Sequence, residues 1–442
     1  MAARQVTFVH CFDNQKGCAI IFEIFPKALK PLFWCSHRRL ETVPGRERQG
    51  KREERMKQTL KIVALACAAL LWVTTASTQV TKQDADLAAP DGLKLKVTYY
   101  SAGKSGPGVL LLHQCNRERK TWDPLATQLA AAGIHVLTLD YRGYGESGGE
   151  RFLSLTPQQQ AAAREKWPGD IDTAFKYLLD QTGVDKARLG AGGASCGVNN
   201  SVQLARRHPE VKTLVLLSGN TNEEGRTFLQ TSAGLPLFVS ASEDDGDTLP
   251  YMRWLMAFSR NPQNKLVPFK AAGHGTNMFA VEKGLEPMIL EWFDKTLRQA
   301  PAAYSAKTMS KPSPIAEFWD VLTQPGGAAP ARKLFEETKK KDPNAFLFPE
   351  SAVNVLGYDR LQKGDTKEAI QVLKLNELAY PRSANVYDSL GDAYLADHQD
   401  ELALQYSENA LKILDENPPA NADFGRLIRE SVEGKLRKLR HQ

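Results

Sequence analysis

From residue 90 onward, hydrophobic positions gather in short blocks of two kinds that take turns along the chain. Residues 93–100 alternate apolar and polar after the turn signal Pro90-Asp91-Gly92 and read as a half-buried strand. Residues 108–112 are a continuous apolar run, the mark of a strand buried on both faces, and residues 134–139, 213–217, 235–240 and 266–269 read as further strands. Residues 188–192 are a run rich in small side chains that reads as one more. Between these lie segments that read as helices: 121–132, 171–179, 198–205, 249–259 and 280–297. Strands alternating with helices predict an α/β fold over residues 80–300, a mostly parallel sheet with helices on both faces. Ligands bind such sheets at the carboxyl ends of the strands.

Beyond residue 300 the pattern changes. Residues 301–317 contain an Ala-, Ser-, Lys- and Pro-rich stretch consistent with a linker. After it Leu356-Gly357 recurs as Leu390-Gly391, Ala369-Ile370 as Ala403-Leu404 and Asn376 as Ala410, each 34 residues on. Ala331, Phe335 and Pro343 stand 38 residues before Ala369, Leu373 and Pro381, as the second half of an earlier copy. This period resembles that of tetratricopeptide repeats and predicts an all-α repeat region over residues 318–442, closed by a solvating helix at 424–439. Such a region could offer a groove to a peptide or protein partner, or simply pack against the first domain.

At the other end, Met56-Lys57-Gln58-Thr59-Leu60-Lys61 is a basic start to an apolar run at 62–73, followed by small residues at 74–78. Twelve apolar residues fall short of the ~20 that span a bilayer but suit a signal-peptide core. Residues 56–78 are therefore expected to be a signal peptide cleaved near 76–78, leaving no membrane span and sending the protein to the periplasm or the exterior. Residues 1–55, without clear periodicity, are expected to be a start-site artefact upstream of Met56, with an unusually long leader as the alternative.

Charge follows the same division. The net charge is +6, but residues 1–78 hold 13 Lys/Arg against 6 Asp/Glu, leaving 44 against 45 elsewhere. The basic excess belongs to the leader and does not point to nucleic acid. Four of the six cysteines, Cys11, Cys18, Cys35 and Cys67, also lie there, and Cys115 and Cys196 remain. No Cys/His spacing suggests a metal. Gly143-Tyr144-Gly145-Glu146-Ser147-Gly148 matches a dinucleotide fingerprint in letters only, because no helix opens directly after it. No cofactor is expected.

The chemistry centres on Gly193-Ala194-Ser195-Cys196-Gly197, a G-x-S-x-G frame between a strand and a helix. In a nucleophile elbow the serine stands in strained geometry, and the residues two before and two after it must lack side chains. Cys196 is a rival nucleophile, but centring the turn on it would put β-branched Val198 in that tight position. A serine needs a base, and the base an orienting acid. Of the histidines, His10 and His37 lie in the leader, His135 in a strand, His208 at a helix end, and His398 and His441 in the repeats. His113 precedes the serine directly after its strand. That leaves His274, in a glycine-flanked loop after the last strand. The acid should leave the strand end between serine and histidine, where Asp245 is favoured and Asp244 and Asp247 remain open. Oxyanion donors should be the backbone N–H groups of Cys196 and Cys115. Cys115 and Cys196 would then flank one pocket, where a disulfide and two free thiols are both open.

Leu112-His113-Gln114, the stretch from Asp140 through Tyr141-Arg142-Gly143 to Ser147, the elbow and Gly273-His274-Gly275 together resemble the α/β-hydrolase fold. The likeness covers residues 90–300 and is nearest the dienelactone-hydrolase-like branch. It implies an acyl hydrolase with a Ser or Cys–His–Asp triad, without cofactor or metal. Two departures stand out: Gln114 replaces a usual glycine, and serine replaces the cysteine of dienelactone hydrolases proper. The 16 residues between 218 and 235 leave no room for a helical cap. Residues 151–168 are the one sizeable extra segment, with Phe152 and Trp167 as candidate walls. The resulting expectation is an exported serine esterase acting on a small-molecule ester or related acyl substrate. A repeat scaffold with a vestigial hydrolase, and acyl transfer by the same triad, are the alternatives.

Overall fold

The computed structural model describes residues 8–9, 20–21, 80–299, 311–419 and 422–440. The chain divides into two compact units, Met1–Ser77 and Thr78–Gln442. In the first, Phe8–Val9 pairs antiparallel with Ile20–Ile21. The expected signal peptide and its cleavage site lie outside the described residues, as does most of the 301–317 linker.

The second unit opens with an eight-stranded sheet: β1 (Thr81–Ala88), β2 (Lys94–Ser101), β3 (Gly106–Leu112), β4 (His135–Leu139), β5 (Val184–Ala194), β6 (Val211–Leu217), β7 (Leu237–Ser242) and β8 (Lys265–Phe269). The order across it is β8-β7-β6-β5-β3-β4-β2-β1, parallel from β8 to β4 and antiparallel for β2 and β1. Period-two alternation sends successive residues of β3 to opposite faces. Leu110 and Leu112 join one core cluster while Val109 and Leu111 join the other. Around the sheet run α1 (Asp123–Ala131), α2 (Pro157–Leu179), α3 (Cys196–Arg207), α4 (Glu223–Thr231), α5 (Thr248–Met256) and α6 (Leu285–Phe293).

Several elements depart from the sequence expectation. β1 (Thr-Lys-Gln-Asp-Ala-Asp-Leu-Ala) carries almost no apolar signal, because it is an edge strand held by its ladder to β2 and largely exposed. Residues 157–168, part of the extra segment read at 151–168, belong to α2. A Thr156/Gln159 capping box starts that helix, and Pro168 sits inside it. The interval between 218 and 235, read as too short for a helical cap, holds the short helix α4, capped by the Asn222 side chain on the Gly225 N–H. The helix expected at 280–297 is broken, because Glu282 leaves helical geometry ahead of Gly284, and α6 begins at Leu285.

An all-helical region follows. It has seven helices among the described residues: α7 (Pro314–Thr323), α8 (Ala328–Lys341), α9 (Glu350–Gln362), α10 (Thr366–Ala379), α11 (Ala384–Ala396), α12 (Asp400–Glu416) and α13 (Ala422–Arg440). Small residues mark the crossings, since a Cβ on Gly357 would strike Leu373. Buried Lys435 bonds Asp388 at 2.5 Å and Asp392 at 2.7 Å, fastening α13 to α11. α7 docks on the α4–α5 side of the sheet region. There Trp319 meets Trp254 edge to face at 4.9 Å, and the Ser313 hydroxyl donates to the Ala257 carbonyl at 2.7 Å. Trp254, Trp319 and Phe348 share one apolar cluster with the sheet.

Candidate active site

Ser195 stands between β5 and α3 with φ 53° and ψ −118°, a conformation that L-residues rarely hold. The flanking glycines are required sterically. A Cβ on Gly193 would collide with the Gly197 carbonyl, and one on Gly197 with the Leu112 carbonyl. The Ser195 N–H is anchored to the Leu217 carbonyl at 2.9 Å. Cys196 opens α3, so its N–H has no partner within the helix.

β7 ends at Ser242, and the acids beyond it divide the work. The Ser242 hydroxyl bonds Asp244, whose Oδ1 also accepts from the backbone N–H groups of Ala272 (3.2 Å) and Gly273 (3.1 Å). Those bonds hold the Asp244 carboxyl below its ordinary pKa and lock the acid loop to the histidine loop. Asp245 is left facing His274, with Oδ2 2.7 Å from Nδ1. Asp247 takes the N-cap position of α5. The His274 side chain is 34% exposed and that of Asp245 16%, so the imidazole touches solvent while its acid is sheltered.

The loop carrying His274 presses on the elbow. Gly275, at φ 60°, lies where a Cβ would strike Gln114 Oε1 and come within 3.4 Å of the Ala194 Cβ. Among the described residues no hydrogen bond joins the Ser195 hydroxyl to His274, and catalytic contacts of this kind are often loose in free enzymes.

Cys115 and Cys196 are joined by a disulfide, their Cα atoms 5.8 Å apart. The bond ties the loop after β3 to the first residue of α3, and so fixes the two backbone segments considered as oxyanion donors. Gln114 was legible in the sequence only as a departure from a resemblance. Its Oε1 accepts from the Thr276 N–H (2.9 Å) and hydroxyl (3.0 Å), and its Nε2 donates to Asn116 (2.8 Å). One amide thus bridges the loop bearing Cys115 and the loop bearing His274.

The other histidines of the sheet region have structural partners. His113 is wholly buried; its Nδ1 donates to the Gln114 carbonyl (2.7 Å) and its Nε2 accepts from the Tyr141 N–H (3.2 Å). Burial drives its pKa down to about 4, so it stays neutral. His135 bonds Tyr99 and the Lys104 carbonyl, and His208 reaches Asp172. Phe152 and Trp167 pack 5.3 Å apart in a buried aromatic cluster with Tyr141 and Tyr144. Phe152 also walls a cavity of about 610 Å³ bounded by Thr276 and Asn277, just past His274.

Residues 107–278 match the family described as alpha/beta hydrolase fold. An uncharacterized protein of Mycobacterium tuberculosis is 34% identical over 142 residues, 32% of this chain and 46% of that protein. A thiohydrolase of Aspergillus aculeatus is 26% identical over 144 residues, 32% of this chain and 43% of that protein. The chain thus spans about half the length of the curated relatives it matches. Among solved structures, an esterase of Pyrococcus furiosus is similar at 18% identity and a TM-score of 0.40, over 51% of this chain and 94% of that one. The sheet, the elbow and the family match make this chain one with an α/β-hydrolase fold, followed by an all-helical region.

Proposed function

We propose that the chain is an exported serine hydrolase of carboxylesters or related acyl compounds, with Ser195, His274 and Asp245 as its triad. The observation that carries the reading is the 2.7 Å contact of Asp245 with His274 Nδ1, on a loop that abuts a serine held at positive φ. In this scheme Ser195 Oγ attacks the acyl carbon and His274 Nε2 takes its proton. Asp245 keeps Nδ1 protonated and stabilises the imidazolium. Negative charge on the carbonyl oxygen is met by the Cys196 and Cys115 N–H groups, each such donor being worth roughly 10²–10³ in rate. His274 returns its proton to the leaving group, and water, activated by the same imidazole, frees the acyl group. Transfer to an alcohol or amine would use the same residues, but a one-third exposed His274 favours water as acceptor.

The helical region is read as tetratricopeptide-like, with Leu356-Gly357 and Leu390-Gly391 as equivalent positions. Among the described residues no helix is long and apolar enough to cross a membrane. Labelling with a fluorophosphonate tests the catalytic reading. A single adduct on Ser195, absent from Ser195→Ala, is expected; no adduct on the wild type, or an equal one on the variant, would sink it.

A further inference from the structure

A second cavity, of about 890 Å³, lies at the seam between the sheet region and the helices. Its walls come from both sides: Cys196 and Asn199 of α3, Arg226 of α4, Tyr251 of α5, Trp319 of α7 and Val355 of α9. It is large enough for a ligand of many atoms, within the ~300–1,000 Å³ of small-molecule sites. Its wall comes up to the residue next to the nucleophile. Cys196 follows Ser195 directly, and Gly219 lies so close that a Cβ there would strike the Ser195 carbonyl. Two residues on, the Thr221 hydroxyl donates to Asn199 (2.9 Å), and the Thr221 carbonyl accepts from Arg226 Nη1 (2.8 Å).

Arg226 is the unusual member. Its guanidinium carbon lies 5.0 Å from the Trp254 ring centre and 5.3 Å from that of Trp319, so residues of both regions hold it. The bond to Thr221 is the one hydrogen bond of its side chain among the described residues, and its Nε is buried without a partner. Two other arginines of the same cavity are neutralised, Arg206 by Glu224 at 2.9 Å and Arg207 by Asp172 at 2.7 Å, while Arg164 lies over the Phe152 ring at 4.9 Å and bonds Gln160. No carboxylate comes within 4.0 Å of Arg226 among the described residues, although Glu223 and Asp359 act on it from farther away. A desolvated cation without a counter-ion is costly, and a bound anion relieves that cost. Burial lowers the pKa of Arg226 and raises that of Tyr251, whose hydroxyl therefore stays a protonated donor beside it. Val355 supplies the apolar half: it is 60% exposed, high for a valine in a packed helix, and faces this space.

We propose that the seam cavity is the acyl-group subsite and selects acyl chains that end in a carboxylate. The apolar body lies along Val355 and Trp319, and the carboxylate meets Arg226 and the Tyr251 hydroxyl. The helical region then shapes substrate choice directly. This assignment rests on Ser195 being the nucleophile, but binding at the seam can be measured without turnover.

The test uses the full chain and 4-nitrophenyl monoesters of succinate, glutarate and suberate, each beside its methyl-capped neutral partner. For the acid of best-fitting length, kcat/KM is expected to exceed that of its capped partner at least tenfold, and Arg226→Met to bring the ratio near one. Val355→Trp, at an exposed position, should lower the ratio of suberyl to acetyl ester hydrolysis about tenfold. Calorimetric titration of suberate into Ser195→Ala should show binding that Ser195→Ala/Arg226→Met lacks. Equal rates for acid and capped esters, or suberate binding unaffected by Arg226→Met, would overturn the subsite. Suberate binding through Arg226 in a protein that hydrolyses no ester would instead overturn the catalytic reading and leave the subsite standing.

Discussion

Gln114 offers a demanding check on how the site is held together. Replacing it with leucine keeps its approximate volume and removes the oxygen that accepts from Thr276. The lost bonds are unequal. The Thr276 hydroxyl keeps Thr121 Oγ1 at 2.6 Å, and exposed Asn116 can turn to water. The Thr276 N–H has no such alternative, because Thr276 is only 5% exposed. Leaving that donor unpaired costs about 1–3 kcal/mol. The disulfide at Cys115 still fixes the oxyanion loop, so the disturbance falls on the other partner, the loop that carries His274 two residues earlier. If the cost appears as misorientation of the imidazole, kcat falls about 5- to 150-fold with KM little changed. Gln114→Glu retains an acceptor for Thr276 and should recover most of the loss. Steady-state hydrolysis of 4-nitrophenyl butyrate, read beside the thermal midpoint, decides the matter. A lowered midpoint with unchanged kcat would show that Gln114 merely stabilises the fold, and the positioning argument would fail.

Other expectations follow from neighbouring contacts. Asp245→Asn should lower kcat by about 10⁴, as expected when the orienting acid is lost, whereas Asp244→Asn, which keeps an acceptor for Ala272 and Gly273, should cost less than about tenfold. The reverse order would move the acid role to Asp244. Breaking the disulfide by Cys115→Ser/Cys196→Ser, which opens a sequence separation of 81 residues, should cost about 2–4 kcal/mol in denaturant unfolding and lower kcat, while thiol titration of the unfolded wild type should find neither of these two cysteines free. His113 is neutral in the fold, and its pKa of about 4 lies below the ordinary 6.5. The unfolded chain therefore takes up this proton first, so its contribution is complete above about pH 6.5 and falls by about 3 kcal/mol as pH drops toward 4. Denaturant titrations across that range should show a shallower slope in His113→Asn, and an identical slope would refute the assignment.

Much of the sheet was legible because its central strands are buried on both faces and so read as apolar runs: β3 at 108–112, β4 at 134–139 and β6 at 213–217. What escaped was structure whose cause is non-local or lies in caps. β1 is polar and exists through its ladder to β2. α2 begins at a capping box twelve residues before Pro168, well ahead of the helix read at 171–179. At the site, the serine declared itself through glycines that only one backbone conformation explains. The choice among Asp244, Asp245 and Asp247 could not be made by counting, because it depends on which carboxylate is already engaged by Ala272 and Gly273. Gln114 was visible only as an anomaly, since its partner Thr276 lies 162 residues away.

The helical region shows where composition leaves the choice open. The Pro- and Ala-rich stretch after residue 300 reads as a linker and leaves open whether the helices beyond it offer a groove or pack on the first domain; they close an apolar surface of the sheet region. Leu229, Leu249, Trp254 and Phe258, on and beside α4 and α5, are all buried, and Trp319 and Phe348 of the helical region belong to the same cluster. Removing the helices would expose that face and take away one of the two rings that hold Arg226. Charge also acts across the two regions, since burial and the charge of Asp247 both raise the pKa of Glu350 in α9. Residues on either side of the linker thus share one core and one large cavity, whose wall includes Cys196 directly after Ser195.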